Sequence, residues 1–234
     1  MRYMLGIDVG GTFTDFVAYD SETQAIDVWK HLSVPQDPVA GIRAGLTQFA
    51  HPEAIRNTRL GTTIATNAVL ERKGAVVAYV TTKGFRDVPF IQRGNRKFHY
   101  DMSWVKPKPL MKRRHCFEVA ERVDRYGRII TPLDEQQARE VARQIRALGE
   151  IEAVAIMLLF SYLNPTHELR LKEIFAEEAP GLPVSISYEV LPKWKEYERA
   201  STTIADAYLK PVVSRQLTSM QARMGELGLG ENLV

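Results

Sequence analysis

The segment LGIDVGGTFTDFVAYD, residues 5–20, restricts the fold of this chain more than any other. Apolar and polar residues alternate on both sides of Gly10 and Gly11, which is the pattern of two half-buried strands joined by a tight turn. Residues 25–32 read as a third strand, so we predict an antiparallel β-meander. A tight turn needs only glycine or asparagine, so the carboxylate before this turn and the hydroxyl groups after it need a chemical explanation.

The polar residues around this turn have the chemistry of a phosphate site. Adjacent glycines allow positive φ angles and leave room for a ligand, and successive backbone N–H groups form an anion-binding nest. Asp8 precedes the turn, where it would hold a magnesium ion through water, because magnesium loses its water reluctantly. The residues assigned to nucleotide phosphates are Gly10, Gly11, Thr12, Phe13, Thr14 and Asp15. The alternative is a plain hairpin whose glycines serve only the turn.

Other features of the sequence argue against several common classes of nucleotide-binding, nucleic-acid-binding and membrane protein. The turn lacks the lysine of a Walker loop and the G-x-G-x-x-G spacing, between a strand and a helix, of a dinucleotide fold. A net charge of +3 over 234 residues indicates no nucleic-acid or membrane partner. The longest apolar run, residues 153–160, is far shorter than the roughly 20 residues of a membrane-spanning helix. The single cysteine, Cys116, is consistent with a cytoplasmic protein.

Alternating strand and helix patterns predict an α/β fold, with a mixed sheet flanked by helices. Helices are expected from Pro38 to about Ala50, from Thr62 to Gly74, and from Pro132 to Gly149. Residues 84–131 are rich in Arg, Lys and Pro and read as an irregular basic insert with a few short strands. Residues 196–227 are predicted as mostly helical, with an interruption at Pro211.

Three threonine and asparagine positions form a second candidate group. Thr62, Thr63 and Asn67 lie at the start of a predicted helix that follows a strand. Helix N-termini favour anions, so these residues could contact phosphate or substrate. The alternative, equally compatible with the sequence, is ordinary N-capping by Thr62 or Thr63.

Charged residues form the third group. Arg93 and Arg96 could hold a substrate carboxylate or bicarbonate through paired hydrogen bonds, or they could be ordinary solvated side chains. Glu198 and Arg199 belong to a polar cluster on a predicted helix. That cluster could line a substrate pocket or a domain interface, or it could face solvent.

Three blocks of sequence resemble one known family. The string GIDVGGTFTD resembles the first phosphate motif of the actin, heat-shock-chaperone and sugar-kinase superfamily. Together with LGTTIATNAVLERKGAVVAYVTTKGFRDV and EYERASTTIADAYLKP, it resembles the hydantoinase A/5-oxoprolinase family, in the N-terminal region of its N-methylhydantoinase A-like members. The resemblance implies a ribonuclease-H-like, actin-like ATPase lobe over residues 1–210. It also implies that residues 211–234 lead, as a helical connection, to a second ATPase lobe absent from this chain.

The resemblance also implies an activity. Members of this family use ATP and Mg²⁺ to hydrolyse a cyclic amide, such as a hydantoin or 5-oxoproline, by phosphorylating the amide oxygen. Relatives are subunits of ATP-dependent ketone carboxylases acting on acetone or acetophenone, which is the first alternative. A sugar-kinase-like phosphotransferase or a non-enzymatic nucleotide switch is the second. A partner subunit of the hydantoinase B type, and hence a hetero-oligomer, is expected.

Overall fold

The computed structural model describes residues 2–34, 37–95, 97–98, 100–227 and 229. The chain forms two compact units. Unit 1 is made of Met1–Glu71 and Val213–Val234, and unit 2 is made of Arg72–Val212. Unit 1 is thus formed by the start of the chain and a segment from beyond residue 212.

Unit 1 contains a four-stranded sheet. Its strands are β1 (Tyr3–Val9), β2 (Phe13–Asp20), β3 (Ile26–Leu32) and β4 (Ile55–Thr62). Their order is β3-β2-β1-β4. The first three strands pair antiparallel, and β4 pairs parallel to β1. The predicted meander is therefore confirmed, and a crossover adds a parallel fourth strand.

One face of this sheet is buried and the other is open. Leu5, Ile7 and Val9 of β1 are buried, and Asp8 between them is exposed, because successive side chains of a strand point to opposite faces. The buried face packs on α1 (Pro38–Leu46) and on apolar residues from the C-terminal segment. We call the other side, which carries Asp8, the open face.

The helix α1 begins where the sequence predicted. The Asp37 carboxylate accepts a hydrogen bond from Ala40 N at 3.1 Å, and Pro38 occupies the first turn. The same carboxylate accepts hydrogen bonds from two guanidinium nitrogens of Arg223. The bond from Ala40 N satisfies one of the free N–H groups at the helix start, and the bonds from Arg223 neutralise the charge of the capping carboxylate. The helix ends at Leu46, four residues before the expected end near Ala50.

Unit 2 is built on a parallel sheet. Its strands are β5 (Val77–Thr82), β6 (Cys116–Val119), β9 (Ala153–Met157) and β10 (Val184–Ile186), and a separate antiparallel pair is formed by β7 (Arg122–Val123) and β8 (Ile129–Thr131). The order in the main sheet is β10-β9-β5-β6, and every pair in it is parallel. All residues of β5 and β9 are buried, which is typical of a parallel sheet covered on both faces.

The remaining helices are α2 (Ile64–Leu70), α3 (Val88–Ile91), α4 (Glu135–Ala147), α5 (Thr166–Glu178), α6 (Ser187–Val190) and α7 (Glu196–Glu226), and the short 3₁₀ turns are Pro52–Ala54 and Arg113–His115. The predicted class, an α/β protein with a meander and a mixed sheet flanked by helices, is confirmed. None of the helices in the described residues has the length and apolar character needed to cross a membrane.

Three predictions about the helices were wrong. The helix predicted from Pro132 starts at Glu135, because the Asp134 side chain caps it by accepting from Gln137 N. The helix expected to reach Gly74 ends at Leu70. The helix α7 continues through Pro211 instead of being interrupted there. Residues 84–131, expected to be irregular with a few short strands, contain the short strands β6, β7 and β8, and β6 joins the main sheet.

Candidate functional site

The turn between β1 and β2 offers free backbone donors. Gly10 N donates to Phe13 O at 3.0 Å, which leaves Gly11 and Thr12 as a two-residue turn. Within the described part of the chain, neither Gly11 N nor Thr12 N donates a hydrogen bond to protein. Both residues are exposed, so two adjacent N–H groups are available to an anion, as in a nest.

The two glycines of this turn have different roles. Neither is among the glycines with positive φ, so the turn does not use the positive φ angles that glycine allows. A Cβ on Gly10 would lie 2.8 Å from Phe13 O, whereas a Cβ on Gly11 would meet nothing within 4 Å. Gly10 is therefore required by the hairpin itself, and Gly11 leaves open space above the turn.

Two carboxylates face each other on the open face beside this turn. Asp8 of β1 is directly opposite Asp15 of β2 in the strand register, and both are exposed. Neither has an ion pair or side-chain hydrogen bond within the described residues. Like charges directly opposite each other destabilise a sheet, so this arrangement favours a bound cation. On its other side, Asp8 lies over Gly61, where a Cβ would come within 3.1 Å of Asp8 Oδ1.

The donor set fits magnesium. Across the described residues, no three His, Cys, Asp or Glu side chains converge as a metal-binding group. Mg²⁺ commonly keeps several waters and uses one or two carboxylates together with substrate phosphates. Asp8 and Asp15, next to free N–H donors, provide such carboxylates.

Thr14 and Ser33 brace the turn from the buried side. Thr14 is fully buried, and its Oγ1 lies 2.9 Å from Ser33 Oγ. Ser33 Oγ also donates to Gly10 O at 2.8 Å, and Ser33 N donates to Thr12 O at 2.9 Å. The Thr14 hydroxyl, predicted to bind phosphate, thus lies on the opposite face from Asp8 and supports the turn. The Thr12 and Phe13 side chains are exposed.

Thr62 and Thr63 lie at the same end of the sheet as the turn, because Thr62 pairs with Val9 in the register. Thr62 Oγ1 accepts from Ile64 N at 3.3 Å, and Asn67 Nδ2 donates to Thr63 Oγ1 at 3.3 Å. The first contact is a local turn before α2, and the N-cap residue Thr63 makes no side-chain capping bond. Because Thr63 and Asn67 follow Thr62 at this end of the sheet, they remain candidate substrate contacts.

In unit 2, Arg93 and Glu198 are partners. Arg93 Nε donates to Glu198 Oε1 at 2.7 Å, and a second guanidinium nitrogen binds the same oxygen. Partial burial is the largest single effect and opposes ionisation of Glu198. The hydrogen bond from Arg93, a backbone hydrogen bond and the charges of Arg93 and Lys195 together outweigh it, so the pKa of Glu198 is lowered. Arg93 therefore already holds a carboxylate of this chain. Arg96 lies outside the described residues.

Arg199 is buried in a polar network. One guanidinium nitrogen donates to Leu158 O at 3.0 Å and binds the hydroxyls of Ser161 and Ser187. The buried carboxylate of Glu168 lies 3.6 Å from it. Burial raises the pKa of Glu168 and lowers that of Arg199. These contacts assign Arg199 to the interior of unit 2.

A second buried cluster adjoins the carboxyl ends of the parallel strands. Glu121 accepts from the Thr82 hydroxyl and lies 2.8 Å from Nδ1 of His167. Thr82 ends β5, and its Oγ1 also accepts from Leu159 N at 3.0 Å. Sequence reasoning missed this cluster and Ser33, because their partners are far apart along the chain.

The strand order and the helices flanking the sheets define an α/β protein with a mixed sheet in unit 1 and a parallel sheet in unit 2. A family model described as the hydantoinase/oxoprolinase N-terminal region matches residues 4–179. The chain belongs to the hydantoinase/oxoprolinase family, as its three sequence blocks predicted.

Related proteins and solved structures are similar to this chain over nearly its whole length. An uncharacterised protein of Methanocaldococcus jannaschii is 43% identical over 221 residues, which cover 93% of this chain and 32% of that protein. The crystal structure of ATP-dependent caprolactamase from Pseudomonas jessenii matches with a TM-score of 0.86 at 34% identity, covering 97% of this chain and 34% of that chain. A nucleotide-free acetone carboxylase structure matches with a TM-score of 0.84 at 30% identity, covering 97% and 35%. The chain spans about a third of the length of these proteins.

Proposed function

We propose that this chain supplies the phosphate-binding part of an ATP-dependent enzyme that opens a cyclic amide. One observation carries the proposal: two unpartnered N–H groups, of Gly11 and Thr12, lie beside the unpaired carboxylates of Asp8 and Asp15. Phosphoryl transfer is catalysed mainly by positioning and by neutralising charge. Backbone donors and a cation held by carboxylates are the groups that this task requires.

Each residue has a stated role in the proposal. The N–H groups of Gly11 and Thr12 bind phosphate oxygens of ATP, and Gly11 leaves space for their approach. Asp8, with Asp15 opposite, holds the magnesium ion through its water ligands. Bound magnesium neutralises charge on the phosphates during transfer. Ser33 and Thr14 keep the turn in its binding shape through the hydrogen bonds behind it.

The proposed reaction makes the amide carbon reactive. The γ-phosphoryl group of ATP moves to the amide oxygen, and ADP leaves. One water then adds to the activated carbon and the ring C–N bond breaks, which leaves a free amine and an acyl phosphate. A second water hydrolyses the acyl phosphate, which releases inorganic phosphate and gives the ring-opened amino acid. The similarity to a protein named ATP-dependent caprolactamase supports this substrate class.

Ketone carboxylation is the second candidate, and the similarity to acetone carboxylase favours it specifically. The same turn would then activate an enolate or bicarbonate oxygen by phosphorylation. Relatives are named as subunits, among them caprolactamase subunit alpha and acetophenone carboxylase gamma subunit. We therefore propose a partner subunit of the hydantoinase B type in either case.

The test is substrate-stimulated ATP hydrolysis by the complete enzyme, followed by phosphate release. Stimulation by caprolactam, hydantoin or 5-oxoproline is expected. Stimulation by acetone only together with bicarbonate would replace the amidase by the carboxylase. Asp8→Asn should reduce turnover at least 100-fold, and the matched control Asp27→Asn, an exposed carboxylate on β3, should not change it.

A further inference from the structure

Unit 2 contains a cavity at the amino end of β5 that none of the proposed chemistry uses. Its volume is about 550 Å³, within the range of pockets that bind small organic molecules. The segment Gly74–Val77 forms one side and residues 108–113 form another. Phe90 and Tyr208 also line it.

Hydrogen bonds hold the walls of this cavity in place. Arg72 donates to Lys108 O at 2.8 Å and to Pro109 O at 3.0 Å. Ala75 N donates to Tyr208 O at 2.9 Å. A Cβ at Gly74 would come within 2.1 Å of the Tyr208 ring, so the ring packs directly on the glycine backbone. The cavity is therefore largely preformed.

The interior of the cavity is apolar. The apolar lining residues include Val76, Val77, Phe90, Leu110, Met111 and Tyr208. Surfaces of this kind bind the hydrocarbon part of a ligand, while a few polar groups fix its orientation. A fully hydrophilic anion such as free phosphate would leave this surface unused.

Positive charge surrounds the apolar interior. No acidic side chain is among the described residues that line the cavity, whereas Arg72, Lys108, Lys112 and Arg113 do line it. Arg113 is neutralised by Asp87, with bonds of 2.7 and 2.9 Å. Among the described residues, Arg72 binds the carbonyl oxygens of Lys108 and Pro109. Lys108 and Lys112 form no ion pair within the described part of the chain.

The imidazole of His115 is a buried polar group in the wall of the cavity. His115 lines the cavity and is 2% exposed, and its Nδ1 is buried without a hydrogen-bond partner. Its Nε2 lies 3.1 Å from Glu150 Oε1, and Glu150 in turn binds Arg114. Buried polar atoms in proteins are nearly always paired, but less than 1 Å² of this nitrogen is accessible, so a ligand is held by the basic side chains and not by His115.

We propose that this cavity binds a small organic carboxylate with an apolar body. The hydrocarbon part lies against the apolar lining, and the carboxylate takes the positive charge of Lys108 and Lys112. A singly charged acid fits better than a nucleotide, since the polar groups are few. The site belongs wholly to unit 2 and does not depend on the function proposed for the turn in unit 1.

Calorimetric titration with 4-phenylbutyrate tests the proposal, and uncharged 4-phenylbutanamide serves as the matched ligand. The purified protein should bind the acid saturably with one site, and the amide at least tenfold more weakly. The double variant Lys108→Gln/Lys112→Gln should weaken binding of the acid at least fivefold. The control Lys83→Gln/Lys193→Gln removes the same charge outside the cavity and should leave binding unchanged.

Labelled methionine methyl groups locate the ligand. The Met111 signal, assigned with Met111→Leu, should shift on titration with the acid, while those of Met220 and Met224 in the unit 1 core should not. The proposal is overturned by absence of saturable binding, by equal binding of acid and amide, or by an unchanged affinity of the lysine double variant. Shifts confined to methionines other than Met111 would also overturn it.

Discussion

At the residue scale, the adjacent glycines of the first turn, Gly10 and Gly11, have different surroundings. Gly10 lies so close to Phe13 O that a Cβ would collide with the backbone, at 2.8 Å. Gly11 has open space around its Cα. Gly10 is therefore needed for the hairpin to close, and Gly11 leaves space in which a ligand can approach the turn.

This difference gives a stability prediction. Gly10→Ala should lower the free energy of unfolding by about 1–3 kcal/mol, the usual cost of forcing extra atoms into a packed position. Gly11→Ala, the matched control, should change it by less than about 0.5 kcal/mol. Urea denaturation measures both. Equal effects of the two substitutions would contradict the steric account of Gly10.

Asp8 gives a second prediction, in which stability and function move in opposite directions. Because Asp8 faces Asp15 across the strands, removing one charge relieves repulsion worth roughly 0.2–1 kcal/mol. Asp8→Asn should therefore raise the free energy of unfolding of the nucleotide-free protein. Salt screens exposed charges, so the gain should shrink at high ionic strength. A loss of stability at low salt would show that Asp8 has a structural partner instead.

The residues of the turn were within reach of sequence reasoning because they are adjacent in the chain. Asp8 and the two glycines could be assigned from spacing alone. Ser33 could not, since it meets Thr14 across 19 residues and no local pattern marks it. The Thr14 hydroxyl was assigned to phosphate because residue type was considered without the face on which the side chain lies.

At the element scale, the helices α4 and α5 are joined by charge. Glu178 of α5 accepts from Arg139 and Arg143 of α4, at 2.8 Å each. Arg146 donates to the backbone oxygen of Glu178 at 3.1 Å. Hydrogen bonds from Arg143 and Arg139 lower the pKa of Glu178 from 4.5 to about 2.

The depressed pKa sets a pH dependence. A carboxylate whose pKa is lower in the folded state stabilises the fold above its unfolded pKa, and the contribution is lost as pH falls through the folded pKa. Glu178→Gln should therefore destabilise the protein at pH 7, and its difference from wild type should vanish between about pH 4.5 and pH 2. Urea denaturation across this range measures it. Glu173→Gln, a more exposed carboxylate on the same helix, should have a much smaller effect, and a pH-independent loss in Glu178→Gln would contradict the argument.

Strand positions were predicted well and helix boundaries less well. Alternation of apolar residues fixed β1, β2 and β3 to within a residue. The start of α4 was misplaced because Pro132 can begin a helix, but Asp134 is the residue whose side chain caps it. Proline usually interrupts a helix, yet α7 continues through Pro211.

At the scale of the whole molecule, the C-terminal segment completes unit 1. Met220 and Met224 belong to the same buried cluster as Phe16 and Ile42. Arg223 binds Asp37 at the start of α1. The fold of the first 71 residues therefore depends on residues more than 140 positions later in the chain. Hydrophobic periodicity is a local signal, so the sequence could not reveal this closure.

This closure predicts where a core substitution acts. Met224→Ala removes a fully buried side chain and should cost about 2–5 kcal/mol of unfolding free energy. Leu217→Ala, on the same helix but 39% exposed, should cost less than about 1 kcal/mol. Hydrogen exchange should show the increase for Met224→Ala concentrated in β1, β2 and β4. An increase confined to β5 and β9 would contradict the assignment of this segment to unit 1.

The most direct measurement is a crystal structure of the complete enzyme with Mg²⁺ and a non-hydrolysable ATP analogue. The account predicts phosphate oxygens at about 2.7–3.2 Å from Gly11 N and Thr12 N, with magnesium joined to Asp8 through water. A triphosphate bound elsewhere, with both N–H groups of the turn left to solvent, would contradict it.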